Sequence, residues 1–470
     1  MAFVNGISTF LAIFVAIAFA YQIVFFFAAM GKDAHTFFMK KKGTYKEKGD
    51  PVSEEKNRYA FIIAARNEEN VICNLIDSIK RQNYPSELMD IFVIADNCTD
   101  NTAEAARNAG AFVCERFNMS QIGKGYALSY FFAQMKAKSG GFRDYDGYVI
   151  FDADNVVDRN FIRAIDEKHA EGYNVITGYR NSKNFGTNWI SAGHSLAFIR
   201  EAQFLNRPRN MFHCSATVSG TGYMFTPDIL EVHDGWPYFL LTEDIELSTE
   251  FIIRGHKIGY AEDAMFYDEQ PVTFAQSWRQ RVRWAKGFLQ VMVHYGGGLC
   301  RCMFKDKKLF LSRYDMFMFL APSMIFNLVT LGLSILAVVI NIVNYDKATQ
   351  MVPDVLWAFA SGIIVYYVIN YIQGFIATVF EWNHIHASGS KKLLYTLTYP
   401  IYMCTYIPMS FVAIFAKIKW KPIEHTNSST IDDIEELQQA KATPISSKTG
   451  EYTYVPVQED YQEEPDRYEA

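Results

Sequence analysis

The chain lacks the glycine patterns of the common nucleotide folds. No Gly-X-Gly-X-X-Gly opens a helix after a strand, and no Gly-X-X-X-X-Gly-Lys-Ser/Thr is present, so a dinucleotide-binding Rossmann site and a P-loop are not expected. It also lacks Cys-X-X-Cys and any Cys/His cluster at zinc spacing. Its 7 cysteines are odd in number, and reduced cytosolic thiols are the simple reading. No basic stripe is present: 45 Lys and Arg face 51 Asp and Glu, a net charge of −6, so no nucleic-acid partner is expected. No Lys or Arg precedes the first apolar run, Ile7 to Met30, whose length is also wrong for a cleaved signal peptide.

What is abundant is apolar and aromatic surface. Of 470 residues, 50% are hydrophobic and 16% aromatic, with 38 Phe and 28 Tyr. That leaves room for an α/β domain of about 250 residues plus membrane elements. Ile7 to Met30 spans about 36 Å as a helix, enough to cross a bilayer. Lys32, Lys40, Lys41 and Lys42 follow it. The positive-inside rule then places the N-terminus outside and the next domain in the cytosol, giving a multi-pass plasma-membrane protein. The predicted divisions are a transmembrane helix over 1–31, a linker over 32–57, a cytosolic catalytic domain over 58–275 and amphipathic interface helices over 276–312. Membrane and interfacial helices over 313–418, a candidate gating loop over 419–426 and a disordered acidic tail over 427–470 complete them.

Within 58–275, apolar runs of strand length alternate with helical periodicity. Tyr59–Ala65, Asp90–Ala95, Ala111–Cys114 and the run into Asp152 read as strands. Helices follow at Val71–Ile79, at Thr102–Ala109 and from Gly123-Lys124-Gly125 through Lys136. This alternation predicts a mostly parallel sheet with ligands at the strand C-termini. Asp152-Ala153-Asp154 falls at such an end. Two carboxylates one residue apart suit a hard divalent cation, and a cation there would neutralise a diphosphate such as that of a sugar nucleotide.

The motifs along the chain fall in a recognisable order. Ala65-Arg66-Asn67-Glu68 ends the first strand, Asp96 the second, and Gly-Lys-Gly starts a helix. Then come Asp152-Ala153-Asp154, Ser219-Gly220-Thr221-Gly222, Thr242-Glu243-Asp244 and Gln280-Arg281-Val282-Arg283-Trp284. Together they resemble the GT-A domain of processive family 2 glycosyltransferases of the cellulose, chitin and hyaluronan synthase type. The resemblance covers residues 58–300 and the flanking membrane segments. It implies an α/β GT-A domain with a mixed, mostly parallel sheet, joined to a helical transmembrane region. It implies Mg2+ or Mn2+ on Asp154 and Asp152, and a UDP-sugar donor contacted by Glu68, Asp96, Lys124, Gln280 and Arg283. Asp244 would be the base, with a pKa raised by burial and by Glu243. Arg283 offers a guanidinium fork to the diphosphate. Trp284, Glu243, Gly220 and Gly222 would meet the acceptor, a growing polysaccharide. Arg279, Arg281, Arg283 and Lys286, interleaved with apolar residues, read as an amphipathic helix on the cytosolic membrane face.

Met316–Tyr345 and Val355–Phe380 are long enough to span. Leu393–Ala416 contains Pro400 and Pro408 and is expected to be interfacial or re-entrant, broken at both prolines. Trp420, His425 and Thr426 form the candidate gating loop, although neither Trp-Gly-Thr-Arg nor Phe-X-Val-Thr occurs. The expected activity is processive, inverting polymerisation of UDP-glucose to a β-glucan. The alternatives are a UDP-N-acetylglucosamine-using synthase of chitin or hyaluronan type and a non-processive lipid glycosyltransferase.

Overall fold

Tyr59–Ala65 (β1) is buried on both faces, which only a central strand between two helical layers can be. In the computed structural model, residues 2–41, 57–138, 141–320, 348–418, 425 and 427–442 are described, with scattered positions between 321 and 347. β1 is followed by α2 (Ile72–Lys80), β2 (Met89–Asp96), α3 (Thr102–Asn108), β3 (Phe112–Arg116), α4 (Lys124–Lys136) and β4 (Gly147–Asp152). Next come β5 (Val156–Val157), α5 (Phe161–Ala170), β6 (Val175–Ser182), α6 (Trp189–Glu201) and α7 (Arg207–Met211). The domain closes with β7 (Tyr223–Phe225), α8 (Asp228–His233), α9 (Glu243–Ile253) and β8 (Gly259–Asp268).

The strands form one 8-stranded sheet in the order β3-β2-β1-β4-β7-β6-β8-β5. β1–β2, β1–β4, β2–β3 and β6–β8 are parallel; β4–β7, β6–β7 and β5–β8 are antiparallel. The sheet is thus mixed and mostly parallel, as the alternating pattern predicts. Its two faces carry separate cores, one packed on α4 through Phe131 and Phe132, the other on α2 and α5 through Ile76 and Phe161. The C-terminal ends of β1, β2 and β4 lie side by side. Asn67 and Asn97 adopt left-handed backbone there (φ 59° and 54°), a conformation Asn tolerates well. Their side chains tie the loops together: Asn67 Oδ1 accepts from Thr99 N at 2.8 Å and Asn97 Oδ1 from Asn118 N at 2.7 Å.

The helices outside this domain depart from expectation in several places. α1 runs from Ala2 to Lys41 as one helix of 40 residues, so no linker starts at 32. The charged turns simply continue an established helix, and residues 42–56 lie outside the described part. Tyr21 on α1 donates to Asp315 at 2.8 Å, and the buried Arg209 pairs with the same carboxylate at 2.6 Å. The Asp315 carboxylate thereby joins α1, by a hydrogen bond, and α7, by an ion pair, to α11 (Phe310–Leu320). α10 is a single helix of 30 residues, Phe274–Met303, capped by the Thr273 side chain. Most of the run expected to span over 316–345 lies outside the described residues.

α12 (Ala348–Phe380) is followed by α13 (Gly389–Cys404) and α14 (Tyr406–Phe415). Two stretches, Ala360–Phe380 and Gly389–Phe415, are long and apolar enough to cross a membrane. The second has one break, at Thr405, rather than one at each proline. Pro400 lies inside α13, while Pro408 sits in the first turn of α14, where its missing N–H costs nothing. The tail also departs from expectation: Ile431–Ala442 forms α15, with Ile431 and Ile434 buried against Val156 and Tyr267.

Candidate active site

Lys124 is the first residue of α4, placed by Gly123 at φ 134°. Its ammonium donates to Asp152 Oδ1 at 2.6 Å and to the Gly220 carbonyl at 2.6 Å. One cation therefore ties the end of β4 to the 219–222 loop. Asp152 is held from behind as well, its N–H donating to Thr221 Oγ1 at 2.9 Å. Asp154 is buried; its Oδ2 accepts from Glu269 N at 3.2 Å, and its Oδ1 accepts from Asn155 at 3.2 Å. Among the described residues no group of three His, Cys, Asp or Glu donors could by itself hold a metal ion. Two carboxylates at a strand end nevertheless fit Mg2+ or Mn2+, which are commonly held by one or two carboxylates with substrate phosphates and water completing the shell.

Glu68 and His425 complete that wall. His425 Nδ1 lies 3.0 Å from both Glu68 carboxylate oxygens, and its Nε2 lies 3.7 Å from Asp154 Oδ2. Burial pushes Glu68 up to about 6, against the lowering effect of His425. The other two members of the candidate gating loop, Trp420 and Thr426, lie outside the described residues. Asp96 pairs with the buried Arg116, itself bonded to the Gln121 carbonyl at 2.9 Å. It forms a braced edge at the end of β2.

Thr242-Glu243-Asp244 opens α9, where the aligned N–H groups favour negative charge. The acidic triplet divides by role. Glu246 Oε2 accepts from Phe239 N and Leu240 N at 3.0 and 2.9 Å, which fixes the loop before the helix. Asp244 instead faces Gly220, where an added Cβ would lie 3.7 Å from its Oδ2. Burial raises Glu243, and the Asp244 charge adds to that; burial likewise raises Asp244, against backbone N–H donation and Lys124.

Gly222 is fixed by packing within the domain. At φ 64° it lies against the Phe266 ring, with no room for a Cβ, and its carbonyl accepts from Gly178 N at 2.9 Å. It shapes the loop that presents Gly220.

The Gln-X-X-Arg-Trp turn splits across α10. Arg283 Nη1 donates at 3.0 Å to the carbonyl of Leu241, just before the Thr242-Glu243-Asp244 motif. Gln280 Oε1 is buried and has no hydrogen-bond partner among the described residues. Trp284 meets His194 and Phe198 edge-on, ring centroids 5.8 and 5.9 Å away. Arg281, expected on a membrane-facing polar stripe, is instead fully buried. It donates to Thr405 Oγ1 at 2.7 Å and lies 4.2 Å over the Tyr402 ring, which pins α10 to the break between α13 and α14.

Arg180 is not legible as a site residue in the sequence. It pairs with Asp268, donates to the Ser219 carbonyl at 2.8 Å and stacks 3.7 Å over Phe198. It stands alone in β6, and only its position beside the 219–222 loop reveals it.

This geometry meets an independent finding. Residues 57–287 match the model of the "Glycosyltransferase like family 2", and this domain belongs to glycosyltransferase family 2. Its sequence is 26% identical over 258 residues to probable glycosyltransferase YdaM of Bacillus subtilis, covering 52% of this chain and 58% of that protein. It is 26% identical over 254 residues to a poly-beta-1,6-N-acetyl-D-glucosamine synthase of Staphylococcus aureus, covering 53% and 58%. The alignment thus spans under two thirds of these relatives. Among solved structures, mannosyltransferase PcManGT of Pyrobaculum calidifontis, in complex with GDP-Man and Mn2+, aligns at TM-score 0.49 and 15% identity. That alignment covers 83% of this chain and 99% of the other.

The raised Asp244 carboxyl sets a pH dependence. With Asp244 as the base of a transfer reaction, the carboxylate must be ionised, and the rate would fall as pH drops through about 6, the value to which burial pushes Asp244. Initial rates across that range check this; a profile flat down to the ordinary carboxylate range would remove Asp244 from the role.

Proposed function

We propose that the chain is a membrane-embedded, inverting β-glycosyltransferase that polymerises a UDP-sugar and passes the polymer across the membrane. The observation that carries it is Lys124, whose ammonium joins Asp152 at the proposed donor end to the carbonyl of Gly220, the residue whose Cα side faces Asp244. The proposed donor carboxylate and the proposed base are thus linked through one ammonium and one loop residue. The Asp244 carboxylate takes the proton from an acceptor hydroxyl as that oxygen bonds to C1 of the donor sugar. The C1–O bond to the diphosphate breaks on the opposite face, so configuration inverts. Lys124 and Arg283 place positive charge beside the diphosphate oxygens. Asp154 and Asp152 would hold Mg2+ or Mn2+, supplying Lewis-acid charge neutralisation at the leaving diphosphate. Trp284 stands at the acceptor end, next to the buried joint between α10 and α13–α14.

The donor we favour is UDP-N-acetylglucosamine, in place of the UDP-glucose expected from sequence. The named product of the Staphylococcus aureus relatives supports this change. The apolar stretches Ala360–Phe380 and Gly389–Phe415 support a multi-pass membrane placement. To test the reading, membrane-reconstituted protein is given radiolabelled UDP-N-acetylglucosamine, UDP-glucose or UDP-glucuronate, singly and in pairs, with Mg2+ or Mn2+. High-molecular-weight label from UDP-N-acetylglucosamine alone is the expected result. Label only from UDP-glucose restores the β-glucan reading, and label confined to organic-extractable lipid overturns processive synthesis.

A further inference from the structure

The chain enters the donor wall twice, first at Glu68 and again, after the membrane helices, at His425. Asn427 and Ser428 are bound to the catalytic domain. Asn427 N donates to Glu269 at 3.0 Å, Lys183 Nζ to the Asn427 carbonyl at 3.1 Å, and Asn74 to the Ser428 carbonyl at 2.8 Å. Thr430 and Asp433 cap α15 reciprocally, with Thr430 N donating to Asp433 at 2.7 Å and Asp433 N to Thr430 Oγ1 at 3.3 Å.

α15 then lies over β5 and the end of α2. Ile431 and Ile434 are each 2% exposed against Val156 and Tyr267. Beside them Arg159 grips Glu435 with two bonds, 2.7 and 3.1 Å, and reaches Asp432 at 3.1 Å. Arg81 binds the other Asp432 oxygen while also pairing with Asp77 at 2.8 Å. The acidic helix meets an arginine pair and an apolar strip, so sign and shape both match.

We infer that α15 is an intramolecular latch: Arg159 and Arg81, through Asp432 and Glu435, seat His425 between Glu68 and Asp154, and donor binding depends on that seat. The inference rests on the donor-site reading above and adds positioning residues to it, none of which touches the reacting atoms. The ion pairs are half-exposed and individually weak, so the latch is held by their number and by the two isoleucines. A single charge reversal at Arg159 should release it without unfolding the domain.

The test measures UDP affinity in the presence of Mn2+ by calorimetry on the full chain in detergent. His425→Ala should weaken UDP about tenfold or more, the size usual for residues that orient a metal or phosphate site. Arg159→Glu should weaken it comparably, and Arg159→Glu/Glu435→Arg should restore it. In His425→Ala, adding Arg159→Glu should bring no further loss, because two changes acting through one side chain do not add. Hydrogen exchange should also show faster exchange of residues 431–442 in Arg159→Glu and recovery in the charge swap. Unchanged UDP affinity in Arg159→Glu, beside a weakened His425→Ala, overturns the latch and leaves the donor site standing. Additive losses overturn it too. Unchanged affinity in His425→Ala itself overturns the placement of His425 in the donor wall, and with it the basis of the inference.

Discussion

Asp244→Asn should reduce transfer by about 10²–10⁴-fold, the range for loss of a general base, and should raise the unfolding temperature. The two effects share one cause. Asp244 and Glu243 are both buried at the start of α9, where burial raises both carboxyls. A carboxyl raised in the folded state favours folding at pH values below its unfolded pKa, and that contribution is lost as pH climbs through the folded value. Near neutral pH the fold therefore holds a carboxylate it would hold more easily protonated. Asn has the shape without the charge. For a domain of this size each kcal/mol moves the midpoint by about 2–4 °C, so a rise of a few degrees is expected. Glu243→Gln should share the stabilisation, because it removes the charge that opposes Asp244, and should lose less activity. Scanning fluorimetry beside the radiolabel assay checks both. Loss of activity with a lowered midpoint would mean that Asp244 is a structural residue.

Much of the candidate site could be read from the sequence because the residues that make it sit at strand ends and helix starts. Tyr59–Ala65 and the run into Asp152 are buried on both faces, and such strands announce themselves as unbroken apolar runs. Asp96, Asp152 and Asp154 are then placed by the sheet. The rest needed the third dimension. Arg279, Arg281 and Arg283 have one chemistry and one spacing, yet Arg279 is exposed, Arg281 fully buried and Arg283 half-buried. What decides between them is the Tyr402 ring, 121 residues away in sequence, and the Thr405 hydroxyl, 124 residues away. The tail is polar and acidic enough to read as disordered. Its docking depends on two isoleucines and on arginines distant in the chain. Local composition cannot report a complementary surface.

Gly220→Ala and Gly222→Ala should separate the two halves of the acceptor loop. Both glycines have left-handed backbone, φ 81° and 64°, so each substitution carries roughly 1 kcal/mol of backbone strain. The surroundings then differ. At Gly222 a methyl would overlap the Phe266 ring, with the nearest atom only 2.1 Å away. Phe266 is 1% exposed and packed on Phe151 and Phe161, so it cannot give way cheaply. Overpacking of this kind costs about 1–3 kcal/mol more. The 222 variant should therefore lose stability, and lose activity because the loop shifts away from Asp244. At Gly220 the methyl meets only Asp244 Oδ2, at 3.7 Å, an ordinary contact. On the function proposed above, it would occupy the gap where an acceptor hydroxyl gives its proton to Asp244. The 220 variant should lose only the about 2–4 °C that its backbone strain carries and should still bind UDP, since Lys124 meets the carbonyl of that residue rather than a side chain. Its transfer rate should fall by at least tenfold, because misplacing a reacting group by about 1 Å can cost about 10²-fold. Midpoint, UDP affinity and initial rate measured on the pair decide the matter. Equal destabilisation of both variants would mean that the loop acts as one structural unit and that the space before Asp244 is not where the acceptor sits.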